Sequence, residues 1–278
     1  MTGKTFTVIG AGGEAGSAVA QRLEAAGQVV RPVSRRAGVS LDDAAALRDA
    51  FSGSFGAYLM VPFDLEAPDL HEREREVCAR IADAVRGAGL VRVVVLGGLS
   101  ADLRRGSSLG AALLEDAMAA LDIPQLVFLR AGWFMENFSK GLDFAAQAAS
   151  GTFATPFSPD RPMPMVSAGD VGHRAAAVLM ADDPGGRIQE LRGARDYTME
   201  EATAIMAQAM RRGPVRYHQV PLAQALEGMV AGGLSRSFAA AVVETARSFN
   251  SGEPWGGTRT PASTTPTSLE QWAREHLA

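Results

Sequence analysis

The chain has 278 residues, of which 47% are hydrophobic, 21% charged and 6% aromatic, a balance that excludes wholesale disorder and suits one α/β domain with an appended lobe. A net charge of −4 and a pI near 5.7 argue against a nucleic-acid or anionic-membrane footprint. The single cysteine, Cys78, excludes an internal disulfide, and His71, His173, His218 and His276 lie too far apart for metal-ligand spacing. With no signal pattern at the start and no eighteen-residue apolar run, a soluble cytoplasmic protein is expected.

Five short apolar runs, at 5–10, 28–33, 57–62, 91–96 and 125–130, alternate with stretches of helical periodicity. The runs are rich in Val, Ile, Leu and Phe with little polar alternation, as strands buried on both faces should be. This rhythm predicts an α/β fold, a doubly wound parallel sheet with right-handed crossovers and helices on both sides.

Gly10, Gly13 and Gly16 follow the first run as G-x-x-G-x-x-G. Gly10 permits a tight turn out of the strand, Gly12 and Gly13 leave room for a pyrophosphate, and Gly16 lets the helix pack closely on the sheet. The helix then opens at Glu14 and Ala15, offering free N–H groups and a partial positive charge. A bare glycine-rich turn would bind nothing. Its place at the head of a five-fold strand–helix alternation favours the phosphate loop of a Rossmann dinucleotide-binding sheet.

The second run ends in Arg31, Pro32, Val33, Ser34, Arg35 and Arg36, with no carboxylate before Asp42. An NAD-selective or FAD site usually has Asp or Glu there to accept from the ribose hydroxyls. Ser34, Arg35 and Arg36 suit a 2′-phosphate instead, so NADP(H) is expected in preference to NAD(H). If the two arginines are only solvated surface charges, the choice stays open.

In the third helical stretch Val77, Cys78, Ile81, Ala82, Val85 and Ala88 make one core-facing stripe behind a charged, solvated start at 72–76. After Arg130 the rhythm changes, and seven of the eighteen aromatic residues fall between positions 128 and 157. An extended Pro-rich loop follows at 155–164. Capping boxes at Ser167 with Asp170 and at Thr198 with Glu201 open two helices. A strand at 215–220, two helices within 222–250, a connector at 251–267 and a short helix at 268–277 complete the chain. The expected division is an NAD(P)-binding domain at 1–151 and a smaller, mostly helical substrate lobe at 152–278, partly interleaved with the first.

Taken together, Gly10–Gly16, the Arg35–Arg36 pair, Leu59 to Pro62, and the segment from Leu129 to Phe138 resemble the NmrA-like atypical short-chain dehydrogenases. The stretch from Met165 to Val171 and the Thr-rich region at Thr264 to Thr267 also match, so the resemblance covers nearly the whole chain. It implies a dinucleotide-binding domain with a small substrate lobe over the carboxyl ends of the strands. Members include NAD(P)H-dependent quinone and azo reductases, isoflavone-reductase relatives and non-catalytic NADP-sensing regulators. Where the family often has an acid after the second strand to meet the adenine, this chain has Ser40.

The proton-delivery set of ordinary short-chain dehydrogenases is missing. Only Lys4 and Lys140, and only Tyr58, Tyr197 and Tyr217, are present, and none forms Tyr-x-x-x-Lys. Gly97 and Gly98 stand where the strand-end serine belongs, with Ser100 beyond them. Hydride addition to an isolated ketone yields a strongly basic alkoxide. Addition to a quinone yields a phenolate-like anion whose conjugate acid has a pKa of about 10 by analogy with tyrosine. A planar conjugated acceptor, such as a quinone, an azo dye or an aromatic polyketide, therefore needs acid catalysis less.

The expected cofactor-binding set is Gly10, Gly12, Gly13, Glu14, Ala15, Gly16, Ser34, Arg35, Arg36, Val61, Pro62 and Gly97. Trp133, Phe134, Asn137 and Phe138 are candidate substrate contacts, an apolar slot or alternatively the seam between lobes. No catalytic residue is assigned, though Glu136 could act as an acid if desolvated, and no metal is expected. The leading expectation is an NADPH-dependent oxidoreductase acting on a small conjugated acceptor, with no nucleic acid or membrane as partner. The rivals are an NADP(H) sensor with a protein partner, and a tailoring enzyme catalysing a non-redox step.

Overall fold

The computed structural model describes residues 3–277. Its first half runs β1 (Thr5–Ile9), α1 (Glu14–Ala25), β2 (Val29–Val33), α2 (Ala44–Phe51), β3 (Gly56–Leu59), α3 (Leu70–Arg86), β4 (Arg92–Gly98), α4 (Leu109–Ala119) and β5 (Gln125–Ala131). The second half continues with β6 (Trp133–Phe134), α5 (Asn137–Lys140), α6 (Phe144–Ala148), β7 (Thr152–Thr155), β8 (Met163–Val166), α7 (Ala168–Met180), β9 (Ile188–Leu191) and β10 (Asp196–Tyr197). It closes with α8 (Met199–Ala209), β11 (Arg216–Gln219), α9 (Leu222–Ala231), α10 (Arg236–Ser251) and α11 (Leu269–Leu277).

Six strands form one parallel sheet in the order β2-β1-β3-β4-β5-β9. The order reverses between β1 and β3, so helices cover both faces and a crevice opens at the carboxyl ends of those two strands. On one face Leu47 and Phe51 of α2, Val77, Ile81 and Val85 of α3, and Leu114 and Met118 of α4 pack against Ile9, Val93 and Val95. On the other, Val19 and Leu23 of α1 and Val171, Ala175 and Leu179 of α7 cover Val8, Tyr58, Val94 and Leu129. Burying this apolar surface on two sides is the main driving force for the domain.

Two departures from the sequence pattern have physical causes. β2 is an edge strand and only partly buried, with Pro32 tolerated there because an edge need not donate on both sides. β3 stops at Leu59, so Met60, Val61 and Pro62 leave the sheet at its carboxyl end.

Two elements that follow residue 151, α7 and β9, pack with the first half. α7 lies in the half built on the six-stranded sheet, packed on α1 so closely that a Cβ at Gly172 would overlap Ala18 and the Ala15 carbonyl. β9, which the sequence pattern did not mark as a strand, adds to the sheet beside β5. Buried Arg92 fixes the end of α7 by donating to the carbonyls of Val178 (3.1 Å), Leu179 (2.9 Å) and Ala181, groups that a helix end leaves without partners.

The rest of the second half has its own core. Phe138, Phe144, Phe153, Phe157, Phe249 and Trp272 pack with Met163, Met165 and Met206. α8 opens with a complete capping box between Thr198 and Glu201. At α7 only half of the expected box forms. Ser167 accepts from Asp170 N, while the Asp170 carboxylate turns to Thr267 and ties down the chain leading into α11.

Candidate functional site

A cleft of about 300 Å³ opens above the carboxyl ends of β1, β3 and β4. One wall is the glycine loop. Gly10 has φ +75°, a left-handed conformation that favours glycine. It receives the turn through Gly13 N donating to Gly10 O at 2.8 Å, and its own N–H donates to Val33 O at 2.9 Å. A Cβ on Gly16 would overlap the Gly10 carbonyl, so close helix–strand contact requires glycine there.

Neither reason applies to Gly13. Its φ is −93°, and a Cβ there would meet only Gly10 O, at 3.4 Å. At Gly12 a Cβ would make ordinary contact with Ser34, at 3.6 Å. Packing and backbone conformation within the chain explain Gly10 and Gly16, whereas neither requires glycine at 12 or 13, where the described residues leave room over the backbone. No side chain caps α1, whose first N–H groups therefore face the cleft unsatisfied by a capping oxygen. Glu14 and Ala15 line the cleft at this helix start. These features fit the diphosphate of a dinucleotide.

The end of β2 stands beside this loop. Ser34 caps one helical turn, accepting from Ala37 N at 3.2 Å. Arg35 and Arg36 are exposed and form no ion pair among the described residues. Arg31, by contrast, is tied to the Ser52 carbonyl at the end of α2. Asp42, the first carboxylate after β2, binds Arg73 at 2.8 Å and Arg80 at 2.6 Å. The Arg73 hydrogen bond and the two positive charges hold its carboxyl below the usual range. A free cationic pair and an engaged carboxylate suit a 2′-phosphate better than bare ribose hydroxyls.

The floor is Tyr58, Met60 and Leu96, and the far wall is Phe134, Glu136, Asn137, Lys140 and Ala168. Glu136 accepts from Ala168 N (3.0 Å) and Trp272 Nε1 (3.0 Å), joining β6, α7 and α11. Burial raises its pKa, against the pull of those hydrogen bonds. Lys140 reaches across the cleft to pair with Glu14.

Of the candidate substrate contacts, Phe134 and Asn137 reach the cleft, while Trp133 and Phe138 do not line it. Phe138 is fully buried in the core of the second half, with Trp133 edge-on against it at 4.9 Å. An apolar cluster lowers its free energy most by burying itself, and this one does so against α6 and β7. Gly97 is buried in β4 on the side away from Leu96, where a Cβ would meet the Glu115 carboxylate. Its lack of a side chain makes room for the ion pair of Glu115 with Arg130, at 2.7 Å. Val61 and Pro62 follow Met60 on the loop leaving β3 and do not line the cleft.

Neither lysine pairs with a tyrosine. Lys4 lies over the Phe55 ring at 3.8 Å, and Lys140 is held by Glu14. Tyr197 donates to Glu270 (3.0 Å) and Tyr217 to the Phe157 carbonyl (2.6 Å). Ser100 bonds Ser108 at 2.7 Å, away from the cleft. No cluster of His, Cys, Asp and Glu among the described residues could hold a metal. No described helix is long and apolar enough to cross a membrane.

The sequence model of the NmrA-like family matches residues 2–255. The chain belongs to the NmrA-like family. A comparison with curated proteins gives no match. Among solved structures, the chain is similar to the triphenylmethane reductase of Citrobacter sp. complexed with NADP(H), at 19% identity and TM-score 0.75, covering 99% of this chain and 100% of that one. It is also similar to an NADPH-dependent quinone oxidoreductase from Escherichia coli, complexed with NADPH, at 19% identity and TM-score 0.74, over 97% and 99% of the two chains. A third is NmrA, a negative transcriptional regulator, in complex with NADP, at 20% identity and TM-score 0.65, over 100% and 96%. These solved structures share the doubly wound α/β architecture with this chain.

Proposed function

We propose that this protein is an NADPH-dependent reductase of a small conjugated acceptor. The observation that carries the reading is the pairing of a glycine cradle, open at Gly12 and Gly13, with the unpaired Arg35 and Arg36 at the end of β2. When bound, the cofactor supplies hydride from its nicotinamide. The backbone N–H groups at the start of α1 would hold the diphosphate, Ser34, Arg35 and Arg36 would hold the 2′-phosphate, and Met60, Leu96 and Phe134 give the cleft its apolar lining. Asn137 offers a neutral amide toward an acceptor oxygen.

The choice of acceptor follows from the proton. Both Glu136 oxygens are engaged by Ala168 N, an arrangement that orients the carboxyl rather than freeing it to move a proton. Burial pushes the Tyr58 hydroxyl well above its ordinary pKa, the wrong direction for an acid at neutral pH. A quinone-, azo- or aromatic polyketide-like acceptor spreads the arriving charge and can take its proton later from water. The similarity to quinone and dye reductases supports this class.

The test is steady-state NADPH oxidation with quinones, azo compounds and simple aliphatic ketones. Turnover with the conjugated acceptors and negligible turnover with the ketones is expected. Tight NADPH binding without turnover on any acceptor would favour an NADP(H)-sensing role with a protein partner, the alternative that the missing Tyr–Lys pair and the likeness to NmrA support.

A further inference from the structure

Among the described residues, Tyr58 is the one tyrosine of three whose hydroxyl has no hydrogen-bond partner. The Tyr197 and Tyr217 hydroxyls are each engaged, whereas the Tyr58 oxygen is fully buried and unpartnered. A phenylalanine would fill the same apolar surroundings, with Val8, Val94, Val166 and Val171, and leave nothing unpaired. A buried polar group without a partner destabilises the fold, so the hydroxyl calls for an explanation outside the fold.

Its position supplies one. The Tyr58 backbone is enclosed between Val8 of β1 and Val94 of β4, so Tyr58 contributes to the cleft through its side chain, whose far end is the hydroxyl. The cleft lining beside it is Gly10, Gly13 and Gly16, the loop shaped for an anion at the start of α1. We propose that the Tyr58 hydroxyl is a ligand-binding group at the cleft floor, donating a hydrogen bond to the diphosphate held on the glycine loop. This rests on the reading of the cleft as a dinucleotide site. Burial keeps the phenol protonated across the working pH range, so it serves as a donor to an oxyanion and never as a competing anion.

The experiment compares wild type, Tyr58→Phe and Arg35→Ala by calorimetry with NADPH and with 2′-AMP, which carries the 2′-phosphate but no diphosphate. Unfolding temperatures are taken without ligand. Tyr58→Phe should unfold at the same or a higher temperature, bind NADPH about tenfold or more weakly, and bind 2′-AMP as wild type does. Arg35→Ala should weaken both ligands. Unchanged NADPH affinity in Tyr58→Phe overturns the inference and leaves the cofactor assignment standing if Arg35→Ala still weakens binding. A lowered ligand-free unfolding temperature with full NADPH affinity also overturns it, since the hydroxyl would then be structural. Equal weakening of 2′-AMP overturns the placement at the diphosphate. If wild type binds no NADPH, the cofactor reading itself fails and the inference falls with it.

Discussion

Gly13→Val separates the needs of the ligand from the needs of the fold. At φ −93° any residue is accommodated, and the new Cβ would meet only the Gly10 carbonyl, at 3.4 Å. The stability cost should stay within about 1 kcal/mol, mostly from a poorer residue at the helix cap. The side chain instead fills the space over the first N–H groups of α1. Charge-assisted hydrogen bonds to a phosphate contribute about 1.5–3 kcal/mol each. Loss of one or two, about 1.5–6 kcal/mol in all, therefore weakens NADPH by about tenfold or more. Gly16→Ala is the counterpart, because its Cβ overlaps the Gly10 carbonyl and α1 must shift, at about 1–3 kcal/mol of stability. Calorimetric titration with NADPH beside thermal unfolding by circular dichroism reads both effects. A folded Gly13→Val protein with wild-type NADPH affinity would refute the assignment of the cradle.

Three further outcomes are expected. Arg35→Ala should weaken NADPH by about 1.5–3 kcal/mol and barely change NADH, measured by calorimetry with both cofactors; equal effects on the two would remove the 2′-phosphate contact. Phe138→Ala should cost about 3–5 kcal/mol of folding stability in denaturant titration, since Phe138 lies wholly inside the core of the second half; a stable variant with altered acceptor specificity would put Phe138 back in the substrate site. Burial raises the Glu136 pKa above 4.5, so its ionisation costs native stability as pH rises from that value and costs nothing below it. The unfolding temperature of Glu136→Gln relative to wild type should therefore increase from about pH 4 to about pH 8, and a constant difference would contradict the raised pKa.

The half built on the six-stranded sheet was legible because its signals are local. Runs of Val, Ile and Leu mark strands, and Gly10, Gly13 and Gly16 mark the tight loop and close helix contact that follow the first of them. What the sequence hid depends on long-range packing. The aromatic density around Trp133 and Phe138 suits a cleft and a core equally, and only the fold turns Phe138 inward and Phe134 outward. Ile188–Leu191 is a half-exposed edge strand with no apolar run to announce it. The Glu115–Arg130 ion pair that fills the space beside Gly97 is a long-range contact with no local signal. Tyr58 sat unremarked in an apolar strand, although a lone hydroxyl among residues otherwise chosen for burial is itself a signal.

The most direct measurement is a single turnover. The protein is loaded with a stoichiometric amount of NADPH, mixed rapidly with a quinone, and followed by the absorbance of the reduced nicotinamide. The expected result is a decay whose amplitude matches the bound cofactor and whose rate rises with quinone concentration to a plateau. Bound NADPH that stays reduced through the addition of quinones and azo compounds alike would contradict the assignment of this cleft to hydride transfer.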